Sequence, residues 1–472
     1  MSLEDENKIS VLKDSDPVVY ELLRKGVEIQ GVGGYHENIF CSLKEQDEEI
    51  YGLIAKEYDR LQHTLQLVAA ENQCSKGVLA ALGSVVQNKT TEGFAGGRYH
   101  GGSEVVDEIE RLAIARTKEA FGAAYANVQP HSGTQANQIV LMAILERGDK
   151  ILSLGLDQGG HLSHGAKVSF TGKFFNVEHY YVDRESFLLD YEAIEVKAKE
   201  FSPKLIICGA TAYSRVIDFK RFREIADSVG AYLLADISHI SGLIIGGAHL
   251  SPIDHAHFVT TSTYKPGGPR GGVILMGSDG EQSVRIRDKE ISLCELVQKA
   301  TFPGVQGTPY LNNIAAKAVF FKEVLSDEYR ERQFGIIENA KRLADDMVGL
   351  GYDVLTGGTD NHMFLINLSN SREGLTGVIA QKCLEDSGMV VNMNKLPYDE
   401  RSAKVTSGIR VGTVIVTKQG MGADEMDMIS GFLDSVLREV EILSENKYSL
   451  EEAFRKEIRR QVMDLCSRFN IC

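Results

Sequence analysis

The chain has 472 residues, of which 43% are hydrophobic and 25% charged, and it carries a formal net charge of −15. This composition is typical of a folded globular protein and excludes a mainly disordered chain. The acidic balance argues against nucleic acid or an anionic membrane as the main partner, because binding to phosphate chains needs clustered positive charge. No apolar run reaches the roughly 18 residues of a membrane-spanning helix, so we expect no membrane segment.

The first 60 residues are strongly acidic and mix a loop signal with helix-like pieces, and we interpret residues 1–60 as an N-terminal arm. The glycine run Gly31–Gly34 predicts a flexible turn, because no glycine stands at the third position that a dinucleotide-binding motif needs and no strand precedes the run. The N-terminus is too polar for a signal peptide, and the seven cysteines are scattered without a CxxC pair. We therefore expect reduced thiols and a cytoplasmic protein.

From Leu67 onward the pattern alternates between helix and strand. One helix is predicted between Ser103 as N-cap and Gly122, and a second runs from about Thr134 to Arg147. Five short apolar runs predict strands at Ile151–Leu156, Leu205–Cys208, Tyr232–Ala235, Phe258–Thr261 and Val273–Met276, with a helix at Phe219–Val229. Strands separated by helices indicate an α/β protein with a mostly parallel sheet covered on both faces.

After about residue 325 the pattern changes. The sequence predicts a long helix at Ile336–Leu350, a short strand at His362–Leu368, and helices at Glu425–Leu443 and Leu450–Phe469. We predict a large domain over residues 61–325 and a smaller α+β domain over residues 326–472.

The candidate chemistry lies where the predicted strands end, since open α/β sheets place ligands at the carboxyl ends of their strands. Asp236 follows one strand, Lys265 follows the next, and the run from His131 to Thr134 opens a helix that offers hydroxyls and free N–H groups to an anion. Pyridoxal phosphate needs a lysine for its Schiff base and an acid opposite its pyridine nitrogen. The three features together predict a pyridoxal-phosphate enzyme.

Ordered segments along the chain resemble the serine hydroxymethyltransferases, which are fold-type I pyridoxal-phosphate enzymes, over roughly residues 48–468. The matching segments are AEN (70–72), NK (88–89), EG (92–93), GRY (97–99), YANVQPHSGTQAN (125–137), GGHLSHG (159–165), AYSR (212–215), REIADSVGAYL (223–233), PRGG (269–272), GGTDNH (357–362) and TSGIRVGT (406–413). The resemblance implies a mostly parallel, seven-stranded type of sheet, a smaller C-terminal domain, and a homodimer or dimer of dimers with sites between subunits.

The resemblance also implies roles for individual cofactor-side residues. Lys265 matches the lysine that binds the cofactor covalently, Asp236 the acid at its pyridinium nitrogen, and His161 the histidine stacked on its ring. The other implied cofactor contacts are Ser132, Gly133 and Thr134 at the phosphate, and Thr211 and His239 at the phenolic oxygen. The resemblance also implies catalytic roles for Lys265, Asp236, His161 and His239.

On the substrate side, Arg410 matches the arginine that clamps the substrate carboxylate, a task suited to a planar guanidinium with two parallel donors. Glu92 matches the acid that exchanges protons with the serine hydroxyl or the folate carbon unit. Asn394 falls near the family's folate-contacting asparagine. Tyr99, His100 and Tyr264 complete the predicted substrate side. The resemblance therefore implies tetrahydrofolate as co-substrate.

Four residues on this side depart from the family pattern: Ala70 stands for the usual Ser, Thr90 and His100 for Tyr, and Tyr264 for His. The loop after Lys265 is also one residue shorter than usual. Two alternatives to glycine/serine hydroxymethyl transfer therefore stay open. One is a related hydroxymethyltransferase, aldolase or transaldolase acting on 2-methylserine or another β-hydroxy amino acid. The other, a non-catalytic regulatory relative, is disfavoured because the cofactor-side residues are intact.

Two further predictions concern local features. His161 and His164 are three residues apart, but no acid or cysteine pair in the sequence supports them as metal ligands, so we expect no metal. Pro266 and the two glycines after it predict a tight loop, with the Tyr264 hydroxyl pointing into the site.

Overall fold

The computed structural model describes residues 39–286 and 289–469, so the predicted turn at Gly31–Gly34 lies outside the described residues. The α-helices are Ile39–Gln46, Glu48–Gln62, Lys76–Leu82, Glu104–Phe121, Gly133–Ile144, Phe170–Phe174, Tyr191–Phe201, Phe219–Ser228, Ser241–Ile245, Leu293–Lys299, Leu311–Glu323, Asp327–Gly349, Leu368–Ser371, Gly377–Asp386, Val414–Lys418, Ala423–Glu439 and Glu452–Cys466. Within these ranges, no helix has both the length and the apolar character needed to span a membrane. The five cysteines whose side chains are described are free thiols.

The main sheet has seven strands. Their order across the sheet is Tyr125–Asn127, Gly272–Met276, Phe258–Ser262, Tyr232–Asp236, Leu205–Cys208, Lys150–Leu154 and Asn176–Tyr180. The strand Gly272–Met276 runs antiparallel to both of its neighbours, and every other pair of neighbouring strands is parallel. The predicted mostly parallel sheet is therefore confirmed.

Both faces of this sheet are buried, which explains why its strands are continuously apolar. Along the central strand, Leu233 and Ala235 pack in one hydrophobic cluster while Leu234 packs in the cluster on the opposite face. This alternation follows from the two-residue period of a strand. Helices cover both faces, so the carboxyl edge of the parallel strands remains as the place where polar side chains can meet.

A second sheet of four antiparallel strands lies in the C-terminal part, in the order Asp353–Val354, Met363–Asn367, Gly408–Gly412 and Asn392–Asn394. The remaining strands form four two-stranded pairs: Leu65–Gln66 with Met389–Val390, Gly93–Phe94 with Gly97–Arg98, Ser283–Ile286 with Lys289–Ser292, and Glu441–Ser444 with Lys447–Ser449.

The long helix Asp327–Gly349 connects the two parts. Its residue Ile336 packs in a cluster on the main sheet, whereas Leu343 packs in a cluster formed mainly by C-terminal residues. Leu65 belongs to that second cluster as well, although it lies early in the chain. The domain boundaries at residues 60 and 325 stay a prediction.

The structure corrects some predicted helix ends. The helix predicted to reach Leu443 ends at Glu439, because Val440 is extended and the next residues form a hairpin strand. The helix predicted to reach Arg147 ends at Ile144, since Leu145 is extended and begins a turn. Apolar periodicity alone does not detect such a change, because an extended residue can continue the same buried pattern.

For the helix Glu104–Phe121, the predicted C-terminal cap is confirmed and the predicted N-terminal cap is wrong. Gly122 ends it in the left-handed conformation, with φ of 65°, as the sequence predicts. Ser103 precedes the helix, but its side chain caps no helical N–H group. Its hydroxyl instead donates to the His100 carbonyl at 2.9 Å and lies 3.2 Å from Thr91 Oγ1. A competing local hydrogen bond therefore replaces the expected cap.

Candidate active site

A cavity of about 230 Å³ opens at the carboxyl edge of the main sheet. Nine residues predicted from the sequence line it: Ser132, Gly133, Thr134, His161, Thr211, Asp236, His239, Tyr264 and Lys265. They come together because Asp236 ends one parallel strand, Lys265 follows the next, and the helix Gly133–Ile144 begins at the same edge. The structure thus gathers in one place groups that lie up to 133 positions apart in the chain.

Asp236 is buried and its carboxylate has three side-chain partners. Its Oδ2 accepts hydrogen bonds from Asn137 Nδ2 at 2.8 Å and pairs with His164 Nε2 at 3.0 Å, and Oδ1 accepts from Ser238 Oγ at 2.6 Å. Burial alone raises the pKa of Asp236, but the hydrogen bond and charge of His164 and the hydrogen bond from Ser238 outweigh it and hold the pKa well below its usual range. The carboxylate is therefore ionised at neutral pH.

This gives a prediction for Asp236→Asn. An amide has a single acceptor oxygen, so it cannot accept at both positions. We therefore expect the free energy of unfolding of the variant at pH 7 to be about 1–3 kcal/mol lower than that of wild type. Because the folded pKa is depressed below the unfolded value of about 3.9, the carboxylate contributes stability above pH 4 and loses it as the pH falls further. Urea unfolding measures the difference in unfolding free energy between wild type and Asp236→Asn. This difference should be constant between pH 7 and 5 and should narrow below about pH 4.

The control for this experiment is Asp254→Asn, which alters an exposed carboxyl and should leave the unfolding free energy within about 0.5 kcal/mol of wild type. A difference between Asp236→Asn and wild type that widens as the pH falls would contradict the assigned direction of the pKa shift.

Two histidines of the cavity, His161 and His239, have pKa values below the usual range. Burial lowers the pKa of His161 to about 4, and its Nδ1 lies 2.8 Å from Ser163 Oγ. Burial, and the nearby positive charge of Lys265, hold the pKa of His239 well below its usual range. The His239 ring stacks on His362 with centroids 5.7 Å apart. His161 and His239 therefore add no positive charge to the cavity at neutral pH.

Lys265 lies between a hydroxyl and an aromatic ring. Its Nζ is 3.3 Å from Ser262 Oγ and 4.9 Å from the centroid of the Tyr264 ring. The Cζ atom of Arg270 lies 4.3 Å from the centroid of the same ring. The loop turns back through Gly267, whose φ is 112°. Tyr264 is therefore held by two cations at the wall of the cavity.

The start of the helix Gly133–Ile144 lies at the cavity and has the features of an anion-binding site. Ser132 is its N-cap and accepts a hydrogen bond from the Gln135 N–H at 3.1 Å. A Cβ atom at Gly133 would lie 3.2 Å from the backbone nitrogen of Ser262, so a side chain there would crowd the adjacent strand. Unpaired N–H groups and the helix dipole together favour a phosphate at this point.

Arg410 reaches the cavity wall from the second sheet. It lies on the strand Gly408–Gly412, and its Nη1 donates to the Thr211 carbonyl at 2.6 Å while its Nε donates to Asn392 Oδ1 at 3.1 Å. Burial lowers the pKa of Arg410 to about 10, so the guanidinium stays charged at neutral pH. The two sheets therefore both contribute to this end of the molecule.

Five predicted substrate-side residues do not line the cavity formed by the described part of this chain: Glu92, Tyr99, His100, Asn394 and Arg410, of which Arg410 contacts the lining residue Thr211. Tyr99 is 75% exposed, and its ring centroid lies 5.5 Å from that of Phe302. Arg98 holds the loop after Glu92 by donating to Asp107 Oδ1 at 2.7 Å and by an ion pair with Glu110. The loop is thus fixed, but away from the cavity of its own chain.

Sequence reasoning missed Asn137 as a partner of Asp236. Asn137 lies one helical turn after Gly133, so its position on the face turned to the sheet was available from the helical period. The contact with Asp236 was not available, since 99 positions separate the two residues.

The fold supplies an acid beside His161 and His164, which the sequence pattern did not indicate. The fold places the carboxylate of Asp236 beside His161 and His164, with candidate ligand atoms within 4.8 Å of one another, so an acid does accompany the two histidines. His164 Nε2 is already paired with Asp236, and His161 Nδ1 with Ser163. The expectation that no metal binds stays a prediction.

Comparison with known proteins places this geometry in a family. The family model "Serine hydroxymethyltransferase" matches residues 43–433. The chain belongs to the serine hydroxymethyltransferase family. A protein of Methanosarcina barkeri named serine hydroxymethyltransferase is 45% identical over 430 residues, covering 91% of this chain and 99% of the relative. One of Borrelia turicatae with the same name is 45% identical over 426 residues, covering 90% and 99%. The protein is thus an enzyme of this family with the fold-type I architecture predicted from its sequence.

Proposed function

We propose that this enzyme catalyses reversible Cα–Cβ cleavage of serine to glycine and transfers the one-carbon unit to tetrahydrofolate, with pyridoxal 5'-phosphate as cofactor. The observation that carries the proposal is the meeting of Lys265, Asp236 and the helix start at Gly133 around one cavity. The relatives that are 45% identical carry the corresponding name.

The residues present fit the cofactor. Lys265 offers an amine at the cavity wall, Asp236 a buried ionised carboxylate, and Ser132–Thr134 the N–H groups of a helix start. Pyridoxal phosphate, when bound, supplies an electron sink for the electrons of the broken Cα–Cβ bond. Asp236 would keep the pyridine nitrogen protonated, because its carboxylate is ionised at neutral pH and would stabilise the positive charge of the protonated nitrogen.

The remaining residues would bind and orient the substrate. Arg410 would pair with the amino-acid carboxylate, and the neutral ring of His161 would stack on the cofactor without adding a charge to its face. Thr211 and His239 would contact the phenolic oxygen. Asn394, whose Nδ2 now donates to the Lys395 carbonyl at 2.7 Å, would contact folate.

The test uses purified holoenzyme with serine and tetrahydrofolate. Formation of glycine and methylenetetrahydrofolate at a rate well above that of Lys265→Ala is the expected result. Equal rates for the two proteins would refute the assignment.

A related activity is favoured by one feature of the cavity. Tyr264, which stands for the family's usual histidine, lies in the wall directly beside Lys265. Together with Ala70 and Thr90 it motivates a second candidate, action on 2-methylserine or another β-hydroxy amino acid. Comparison of kcat/KM for serine, 2-methylserine and threonine distinguishes the two, since a preference for serine by orders of magnitude excludes the second.

The hydroxyl of Tyr264 has its own test. We expect Tyr264→Phe to lower cofactor affinity or kcat/KM by a factor of about 5 or more, because it would remove the predicted hydrogen bond to phosphate or substrate, of roughly 1 kcal/mol or more. Tyr181→Phe, which changes a tyrosine that is 46% exposed, is the matched control and should change neither. Unchanged cofactor affinity together with unchanged turnover in Tyr264→Phe would show that only the ring matters.

The enzyme is further proposed to act as a homodimer or a dimer of dimers, in which Glu92, Tyr99 and His100 of one subunit reach the cavity of its partner. The helix Glu48–Gln62 supports this proposal because it has no buried residue. It exposes a row of apolar side chains: Ile50, Leu53, Ile54 and Tyr58, each at least 45% exposed. Such a row at helical spacing is typical of a face that packs on another protein surface.

Leu53 is 53% exposed within this row. We expect Leu53→Glu to shift the protein toward monomer, because it places a charge on the apolar face. Sedimentation velocity at several concentrations measures the change. Lys56→Glu, on the same helix but outside the row, should keep the wild-type distribution. A Leu53→Glu protein that sediments like wild type would exclude this helix from the interface.

The cytoplasmic location expected from the sequence stays a prediction.

A further inference from the structure

A lysine outside the cavity holds together the backbone that forms its anion-binding end. Lys317 lies on the helix Leu311–Glu323 and is only 1% exposed. Its Nζ donates three hydrogen bonds to backbone carbonyls: Val128 at 2.6 Å, Pro130 at 3.1 Å and Gly272 at 2.9 Å. An ammonium has three N–H donors, so these three carbonyls satisfy it completely.

The three carbonyls belong to two segments that meet behind the cavity. Val128 and Pro130 lie between the strand Tyr125–Asn127 and the helix start at Gly133. Gly272 begins the adjacent antiparallel strand, and its N–H also donates to the Pro130 carbonyl at 3.0 Å. The ammonium therefore joins two segments whose adjacent residues, His131 after Pro130 and Gly271 before Gly272, line the cavity.

The segments approach so closely that side chains would not fit between them. A Cβ atom at Gly272 would collide with the Ser132 carbonyl, and one at Gly271 would lie 2.9 Å from Lys317 Nζ. The ammonium consequently lies directly behind the backbone that forms the wall of the cavity. Burial lowers the pKa of Lys317 to about 7, so its ammonium form, which the three carbonyls satisfy, is fully populated only below that pH. In that form the buried charge is weakly screened by solvent.

A second side chain of the same helix acts on the same loop. Asn313, four residues before Lys317, donates through Nδ2 to the Arg270 carbonyl. Residues four apart lie on one face of a helix. The helix therefore holds the loop Arg270–Gly272 at two successive points.

We propose that Lys317 is a positioning residue for the cofactor phosphate: it holds the run from Pro130 to Gly133 against Gly271 and Gly272, so that the N–H groups of the helix start point at the phosphate, and it adds a positive charge behind them. This inference rests on the proposed cofactor. It differs from a purely structural role in one respect, because the effect of Lys317 depends on the phosphate and not on the ring or aldehyde of the ligand.

The test compares two ligands of the apoenzyme. Pyridoxal 5'-phosphate and pyridoxal share the ring and the aldehyde, and only the first has a phosphate. The proteins are wild type, Lys317→Met, which keeps the length of the side chain without its charge, and Lys322→Met, which removes an exposed lysine of the same helix. Equilibrium dissociation constants are measured by absorbance or fluorescence titration, with the thermal midpoint of each apoprotein recorded alongside.

We expect Lys317→Met to weaken binding of pyridoxal phosphate by about 10-fold or more and that of pyridoxal by less than about threefold, the first factor being typical of a lost charged hydrogen bond. Lys322→Met should change neither constant. Equal weakening of both ligands by Lys317→Met would overturn the proposal and leave only a structural role. An unchanged constant for pyridoxal phosphate would also overturn it.

Two further outcomes are distinguishable. If Lys317→Met does not fold, Asn313→Ala removes only the bond to the Arg270 carbonyl, and it should still weaken pyridoxal phosphate more than pyridoxal. Equal effects of Asn313→Ala on the two ligands would then overturn the proposal. If wild type binds neither ligand, the proposed cofactor is wrong, whereas tight binding by wild type with no selectivity in the variants refutes only the role of Lys317.

Discussion

Lys265→Ala is expected to lower kcat/KM for serine by about 10²–10⁴-fold or more. Loss of a positioned proton-transferring group accounts for a factor in this range, and loss of the covalent link to the proposed cofactor lowers the rate further. The physical reason is the position of Lys265, whose amine lies at the cavity wall 3.3 Å from Ser262 Oγ. Alanine leaves neither an amine nor a base there. Initial rates with serine and tetrahydrofolate measure the effect, and the visible absorbance of the purified protein reports the cofactor.

The control for this prediction is Lys404→Ala, which removes an exposed lysine from the C-terminal part of the chain and should keep both activity and absorbance. Added methylamine should restore part of the activity of Lys265→Ala, because it supplies a small amine to the vacated space. Turnover within about tenfold of wild type in Lys265→Ala would contradict the assigned role.

Arg410→Lys is expected to lower kcat/KM for amino-acid substrates by about 10–100-fold, through the loss of about 1.5–3 kcal/mol of charged hydrogen bonding. Lysine keeps the positive charge but has a single ammonium, so it cannot form the two parallel bonds that a guanidinium forms with a carboxylate. It also cannot donate to both the Thr211 carbonyl and Asn392 in the observed geometry. Steady-state kinetics with serine measures the change.

The matched comparison for Arg410 changes the substrate and keeps the enzyme. Serine amide lacks the carboxylate, so wild type and Arg410→Lys should process or bind it almost equally poorly. An equal loss for serine and for serine amide would mean that Arg410 supports the wall near Thr211 without contacting the carboxylate. Binding of glycine, followed by equilibrium titration, gives the same comparison without turnover.

The main sheet illustrates which strands could be predicted from the sequence. Leu205–Cys208 and Tyr232–Asp236 are buried on both faces and read as continuous apolar runs, so their positions were predicted to within one residue. Tyr125–Asn127 and Asn176–Tyr180 were not named as strands. The first has three residues and the second is only partly buried, and both are held at the two edges of the sheet by pairing with distant strands.

The site divides in the same way. Lys265 and Asp236 were found because each directly follows a predicted strand, and a strand end has a known place in an α/β fold. The partners of Asp236 were not found as such, because Asn137 and His164 are 99 and 72 positions away from it. Glu92 was found by family resemblance, yet it lies outside the cavity of its own chain.

The sequence by itself determined the features that depend on neighbouring residues. These are the alternation of strand and helix, the left-handed end at Gly122, and the lysine, acid and helix start that the proposed cofactor requires. Each depends on side-chain period, on backbone freedom or on chemical identity, which are properties of short segments. Only the tertiary structure decided that His164 pairs with Asp236, that Arg410 comes to the cavity from a second sheet, and that Lys317 lies buried behind its wall. Those contacts join segments far apart in the chain, and they form because buried polar groups must find partners wherever the packed strands and helices bring them.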